Sequence, residues 1–376
     1  MFGVTEPINT EYQKEVNMKT EKKPSIQDYT REELSQLIKP AFRAKQVYSW
    51  LYHKYVTSFD EMKNLPQSLK EELKEKYRIE PLKMIRKEKS RDGSTKYLFE
   101  LEDGNTVETV LLLMKKKQFN EDGSVKHQEK YTVCISCQVG CKVGCSFCLT
   151  AKSGFIANLT AGEIVEQIRY IKRDNNIDAN RRLNIVYMGM GEPLDNLSAV
   201  SQSSRVFADP DGMAIAPHRQ TISTSGLSTK IVKLGKMDLG VNLAISLHAV
   251  DDELREKLMP INKAYNIQSI IDAVKGFPIN DRKRVMFEYL VIKDVNDSMN
   301  AAKKLLALLN GIKSKVNLIY FNPYGGTEYK RPEEKQMKAF QEYLTKHGLH
   351  CTIRESKGLD ISAACGQLRD NELEES

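Results

Sequence analysis

No stretch of this sequence stays apolar for long. No uninterrupted run, Val110 to Met114 included, exceeds five residues. A membrane-spanning helix needs about 20, so none is expected. The first twenty-four residues are polar and lack the apolar core of a secretory signal, which leaves a cytoplasmic placement as the expectation. No internal repeat or low-complexity tract stands out. A strong charge of either sign is also missing. The 57 Lys and Arg against 50 Asp and Glu leave +7, which is compatible with a phosphate-bearing partner without demanding one. Cysteine is sparse and odd in number, seven in 376 residues. Five of those seven crowd between positions 134 and 148. In a reducing compartment such a cluster points to metal or catalysis rather than to disulfide staples.

What is present is a globular balance, 40% hydrophobic and 28% charged. The length suits two or three units of roughly 150 residues. After a leader over 1–24, expected to be flexible, residues 25–82 read as a helical accessory domain. Thr30 and Glu33 have capping-box spacing, and the stretch from Phe42 through Val47, Trp50 and Leu51 is amphipathic. Over 83–130 the period changes. Alternating runs broken by Asp92-Gly93 and Asp103-Gly104 predict hairpin strands ending near Met114, followed by a polar loop with Lys115, Lys116, Lys117 and Asp122-Gly123.

A strand at Tyr131–Ser136 then opens a strand–loop–helix rhythm. Strands are expected near 183–188, 219–224, 241–247, 284–292, 315–321 and 350–354. Helices are expected near 160–173, 196–207, 228–237, 266–277, 297–310 and 333–347, with a second capping box at Thr160 and Glu163. This alternation predicts an α/β fold, a parallel sheet with crossover helices forming a partial (β/α)6 barrel over 131–355. Active groups are then expected on loops after the strand C-termini. Residues 356–376 form a C-terminal segment whose acidic end after Cys365 reads as frayed.

The cluster itself reads Cys134-Ile-Ser-Cys137-Gln-Val-Gly-Cys141-Lys-Val-Gly-Cys145-Ser-Phe-Cys148. Paired C-x2-C knuckles, Cys134/Cys137 and Cys145/Cys148, would suit tetrahedral zinc. They are closer together than the roughly 15–20 residues usual in zinc ribbons. The alternative is C-x3-C-x2-C, in which Cys141, Cys145 and Cys148 bind three irons of a cubane. One iron is then left open for a substrate or cofactor. Gly140 and Gly144 would allow the tight wrap.

With Phe147 before its last cysteine, this C-x3-C-x2-C resembles the radical S-adenosylmethionine superfamily. There the open iron chelates S-adenosylmethionine and its cleavage yields a 5′-deoxyadenosyl radical. Further runs narrow the resemblance. They are Cys134-Ile-Ser-x-Gln-Val-Gly-Cys141, Met188-Gly-Met-Gly-Glu-Pro193, Ser223-Thr-Ser-Gly226, Ser246-Leu-His248, Met259-Pro-Ile-Asn262, Asn322-Pro323 and Ala363-Ala-Cys-Gly-Gln-Leu368. Together they resemble the family of RNA adenine methyltransferases that comprises RlmN, which acts at C2, and its C8-methylating relative Cfr. The likeness spans roughly residues 26 to 368.

The resemblance implies a [4Fe-4S] cluster on Cys141, Cys145 and Cys148. It places S-adenosylmethionine against Gly191, Glu192, Ser223, Ser246, Leu247, His248 and Asn322. Taken singly, Ser223 reads as a cap, His248 as a core histidine and Asn322 as a turn former. Their spacing on successive βα loops is what groups them.

The implied activity is methylation of C2 of adenosine 2503 in 23S rRNA and of adenosine 37 in tRNAs. Cys365 would carry the methyl group, and Cys134 would release product through a transient disulfide. An electron donor such as flavodoxin or ferredoxin is implied, and a monomer is expected. Glu108, in Val107-Glu-Thr-Val110, becomes a candidate general base, an unpaired carboxylate facing a cavity; from pattern alone it reads equally as a solvent-facing strand residue.

Cys137 stands where the family commonly has serine and would compete as a ligand or disulfide partner. Cys351 is expected in the core. Arg43, Lys45, Lys54, Lys63 and Lys70, Lys115–Lys117, Arg181-Arg182, Arg282-Lys283-Arg284 and Lys330-Arg331 are candidate phosphate contacts, though basic runs are more often only solvated. The alternatives are Cfr-like C8 methylation and a non-catalytic, zinc-stabilised RNA-binding protein.

Overall fold

A computed structural model of the chain describes residues 23–179, 181, 183–279 and 283–368. The expectations for the leader up to residue 22, for Arg182 and Arg282, and for the tail beyond 368 lie outside the described residues.

Three helices open the described chain: α1 (Arg31–Leu37), α2 (Phe42–His53) and α3 (Gln67–Lys76). Thr30 and Glu33 form the capping box expected from their spacing. These helices do not stand apart from the rest. Ile26, Leu34, Val47, Leu51 and Leu73 join the same apolar core as the barrel helices. Buried polar ties reinforce the docking. Arg169 donates to the carbonyls of Leu51 and Val56, and Asp28 accepts from the Gly162 amide.

Strands β1 (Lys83–Lys89), β2 (Thr95–Glu100) and β3 (Thr106–Lys115) form an antiparallel meander. The segment expected as a loop after Met114 instead makes a small ribbon, β4 (Gln118–Phe119) with β5 (Val125–His127). Asp122-Gly123 supplies its turn, the chemistry that closes tight hairpins. Strand β6 (Lys130–Cys134) pairs antiparallel with β3, with Val110 opposite Cys134 and Lys115 opposite Lys130. The meander is therefore a continuation of the barrel sheet.

From β6 onward the neighbouring strands in the large sheet are parallel. A short pair, β7 (Gln138–Gly140) and β8 (Phe155–Asn158), brackets the cysteine loop and helix α4 (Leu149–Lys152). Then come α5 (Ala161–Asp174), β9 (Asn184–Tyr187), α6 (Leu197–Ala208), β10 (Gln220–Thr224), α7 (Ser228–Lys236) and β11 (Asn242–Ser246). Helices α8 (Asp252–Leu258) and α9 (Ile267–Lys275) lead to β12 (Val285–Val291), α10 (Met299–Leu308), β13 (Ser314–Tyr320), α11 (Glu334–Lys346) and β14 (Cys351–Arg354). The sheet order is β1-β2-β3-β6-β9-β10-β11-β12-β13-β14.

No pairing among the described residues joins β14 back to β3 or β6. The barrel is open along that seam, as a partial (β/α)6 architecture requires. Among the described residues, no helix is long and apolar enough to cross a membrane. Helix α8 escaped the sequence reading despite an Asp251 cap, acids in its first turn and Arg255 and Lys257 in its last, which is the polarity a helix dipole favours.

Candidate active site

Two cavities meet inside the open barrel. The first is a cleft at the C-terminal ends of the parallel strands, with about 960 Å³ of space not filled by atoms. It is lined by Cys141, Cys145 and Cys148, by Gly191 and Glu192 after β9, by Ser223 and Ser246, and by His248. The second lies in the seam, about 1280 Å³. Its walls come from both lips of the open sheet: Leu112 and Met114 of β3, Cys134 ending β6, Asn317 of β13, and Thr352 and Arg354 of β14. The C-terminal segment closes it with Ala363, Ala364 and Cys365. Cys365 and Arg354 belong to both walls.

The cysteine loop takes its shape from backbone that only glycine accommodates easily. Gly140 has φ +72°, and a Cβ there would stand 1.9 Å from the Gly154 carbonyl oxygen. The Cys141 amide donates to that same carbonyl at 2.7 Å. Burial pushes all three loop thiols above their ordinary range, Cys141 up to about 12. Thiols held this way release protons when a metal takes them as thiolates. The donor set fits a cluster bound through three cysteines, with one corner left for another ligand.

The zinc alternative needed Cys134, Cys137, Cys145 and Cys148 together, and the structure separates them. Cys134 lines the seam cavity, whereas the Cys137 thiol is buried and donates to the Met190 carbonyl at 3.6 Å. Cys137 lines neither cavity. Cys351 is buried in the apolar core, as expected.

Of the seven expected cofactor contacts, Gly191, Glu192, Ser223, Ser246 and His248 line the cleft. Gly191 sits at φ +103°, and a Cβ would lie 2.6 Å from the Gln138 side chain; its close approach is to the neighbouring strand β7. Buried Glu192 accepts from the amides of Leu194 at 3.0 Å and Ser225 at 2.7 Å. Burial raises its carboxyl above the usual range while those amides oppose the rise. The Ser223 hydroxyl donates to the Tyr187 carbonyl at 2.8 Å.

His248 has φ +59°. Its Nδ1 accepts from the Leu290 amide at 3.0 Å, and burial pushes its pKa down to about 3. A neutral ring with Nδ1 accepting carries its proton on Nε2. Phe147 stands edge-on to it, 5.0 Å between ring centres.

Leu247 and Asn322 depart from the expectation. Leu247 turns into the core, because successive residues at the strand end alternate in direction. Asn322 is held by Arg331 at 2.7 Å and Ser356 at 2.8 Å and is absent from the cleft wall.

Glu108 also differs. It is fully buried and ion-paired with buried Lys96 at 3.0 Å. It lines neither cavity, so an unpaired, cavity-facing carboxylate is not what the structure has. The reason is β2, which lays Lys96 opposite Val110 on the shared face. Even so, Glu108 lies two residues from Val110, the partner of Cys134, on the same face of the sheet.

Six of the basic candidates fall at the far end of the barrel. Lys115–Lys117 extend β3 beside the start of β6, Arg181 precedes β9, and Lys283 and Arg284 precede β12. Lys330 and Arg331 follow β13, at the cleft end. Sequence reading missed Met188, Glu288 and Arg354, which line the cleft. Glu288 was hidden inside an apolar strand. Its Oε1 accepts from Asn317 at 3.0 Å, and burial raises its carboxyl.

Comparison with known proteins agrees with this fold. The profile of the ribosomal RNA large subunit methyltransferase N-terminal domain matches residues 25–79, and that of the radical SAM superfamily matches residues 135–306. The chain is 76% identical over 357 residues to the dual-specificity RNA methyltransferase RlmN of Sulfurovum sp., covering 95% of this chain and 99% of that protein. It is 65% identical over 355 residues to the protein of that name from Aliarcobacter butzleri, covering 94% and 99%. A crystal structure of a radical SAM methyltransferase from Sphaerobacter thermophilus superposes with a TM-score of 0.83 at 40% identity, covering 92% of this chain and 99% of that one. Superfamily membership implies an iron–sulfur cluster and S-adenosylmethionine. The chain belongs to the RlmN family of radical SAM RNA methyltransferases.

Proposed function

We propose that the protein methylates C2 of adenosine in RNA, at position 2503 of 23S rRNA and position 37 of tRNAs, with Cys365 as methyl carrier and Cys134 as resolving thiol. One observation carries the reading. Cys365 lies on the wall between the cleft lined by Cys141, Cys145 and Cys148 and the seam cavity lined by Cys134. A carrier must face the methyl source on one side and the acceptor on the other, and this wall position provides both.

When bound, the cluster and S-adenosylmethionine supply a methyl group and a one-electron route to activate it. Cys141, Cys145 and Cys148 would hold the cluster. Gly191, Glu192, Ser223, Ser246 and His248 would line the bed of S-adenosylmethionine, with Leu247 and Asn322 supporting them from behind. The sulfur of Cys365 then becomes a thioether joined through one carbon to the adenine ring. The Cys134 thiolate attacks that sulfur, the S–S bond forms, and the C–S bond breaks. Its electron pair goes to the departing carbon, which takes a proton and becomes the methyl group. The disulfide must be reduced by an external thiol before another turnover.

Burial holds the Cys134 thiol up to about 12, so at neutral pH it rests protonated and needs a base. Glu108, on the same sheet face, serves a proton-accepting role only once its pairing with Lys96 loosens. An electron donor such as flavodoxin or ferredoxin, a monomeric state and a cytoplasmic location belong to the same reading.

Cys134→Ala tests it. The variant is expected to remain covalently joined to its RNA, giving a gel band that survives denaturation, while wild type releases 2-methyladenosine. A fully active Cys134→Ala removes the resolving role. Recovery of 8-methyladenosine by mass spectrometry of digested RNA would move the chemistry to C8.

A further inference from the structure

Helix α8 carries a fully buried arginine, Arg255, and its five N–H groups meet five acceptors. Nε donates to the Leu247 carbonyl at 3.1 Å. Nη1 donates to Asn262 Oδ1 at 2.8 Å and the Tyr265 carbonyl at 3.2 Å. Nη2 donates to the carbonyls of Ser225 at 2.5 Å and Ser246 at 3.1 Å. Three of these carbonyls lie where β10 and β11 end and their following loops begin, beside Ser223, Ser246 and His248 of the cleft. The Ser225 amide in turn donates to Glu192, which ties in the loop after β9.

The same helix also holds the cysteine loop. Its last residue, Leu258, accepts from the Ser146 amide at 2.9 Å, next to Cys145. No carboxylate lies within ion-pair distance of Arg255 among the described residues. Asp252, whose Oδ1 accepts from Asn262 Nδ2 at 2.9 Å, favours the charged guanidinium from beyond ion-pair distance. A buried cation is costly unless something negative compensates it. Arg255 and Leu258 lie one turn apart on α8, and Leu258 holds the residue after Cys145, so thiolates of the cysteine loop, once ligated, supply that compensation.

We infer that Arg255 is the positioning residue of the cofactor site, locking the loops after β10 and β11 by their carbonyls and placing a fixed positive charge beside the thiolate-bound cluster. Lysine has the charge but only three donors on one atom, so it cannot span five acceptors in the plane of a guanidinium. The inference rests on the cleft being the cofactor site, and the two can fail separately.

The test uses reconstituted wild type, Arg255→Lys and Arg255→Met, with far-UV circular dichroism as the folding check. S-adenosylmethionine affinity is measured by calorimetry, and the cluster potential by redox titration followed by electron paramagnetic resonance. Arg255→Lys is expected to weaken S-adenosylmethionine by about 10–100-fold and leave the potential near wild type. Arg255→Met is expected to weaken it as much and also make the cluster harder to reduce. Should neither hold a fold, Asn262→Ala, which frees one of the five donors, is expected to give a smaller loss of affinity in the same direction. Folded Lys and Met variants, or a folded Asn262→Ala, that bind S-adenosylmethionine as wild type does would overturn the inference. Wild type that binds none would instead sink the cofactor reading itself.

Discussion

The cleft and the seam cavity share Met188, Ile319, Arg354, Cys365 and Leu368 and differ in what else surrounds them. The cleft is built largely from residues at or just past the ends of parallel strands, with Glu192, Ser223 and His248 held by hydrogen bonds before any ligand arrives. The seam cavity is built from what an unclosed sheet leaves over: one lip from β3 and β6, the other from β14, and a C-terminal segment laid between them. Chemistry follows construction. The rigid, pre-bonded chamber has the three-thiol donor set, while the chamber formed by chain closure has the pair of thiols whose bond would be made and broken. A sulfur on the shared wall links the two.

The sharpest way to break this comparison is to remove one thiol from each side. Cys141→Ala is expected to lose both cluster iron and methylation. Cys365→Ala is expected to keep its iron and sulfide, by elemental analysis, while yielding no detectable 2-methyladenosine by mass spectrometry. Loss of iron in both would mean that the chambers are not chemically separate.

Next in size is the wall behind Cys134. Lys96→Met removes the buried cation ion-paired with Glu108 and is expected to cost about 3–5 kcal/mol in urea denaturation. Adding Glu108→Gln should recover much of that loss, because the pair is then replaced rather than broken. A Lys96→Met protein as stable as wild type would mean that the pair does not carry that wall.

The smallest effect sharpens the cleft side. Burial holds the folded-state pKa of His248 near 3 against an ordinary 6.5. The unfolded chain therefore binds the extra proton between those values. Stability from this neutral histidine is full above about 6.5 and is lost as pH falls toward about 3. Acidification from pH 7 to pH 5 should cost about 2 kcal/mol through this group, and His248→Gln should remove that component from the difference between urea melts at the two pH values.

Much of this was legible in the sequence because it is local. The strands β9 to β14 lie within a residue or two of their expected positions, since each is a short segment rich in β-branched and apolar residues set between helices and turns. Both threonine–glutamate capping boxes formed as their spacing implied. The C-x3-C-x2-C loop announced itself through residue type and spacing. Less legible were residues whose meaning depends on a distant partner. Glu108 read as an exposed or cavity-facing acid because Lys96 is brought to it only by hairpin register. Arg255 carries no mark in the sequence, because only the fold closes the carbonyls of three loops around it. The basic runs gave no indication of which end of the barrel they would occupy.

The sequence by itself determined the alternation of strands and helices, the three-cysteine donor set and the glycines that shape its loop, because periodicity, spacing and backbone freedom are properties of neighbouring residues. Only the tertiary structure decided that the sheet stays open, that Cys134 and Cys365 face one cavity from opposite ends of the fold, and that Cys137 turns away from it. Those facts depend on which strands find each other and where a terminal segment comes to rest, and contacts between positions hundreds of residues apart leave no periodic trace in the chain.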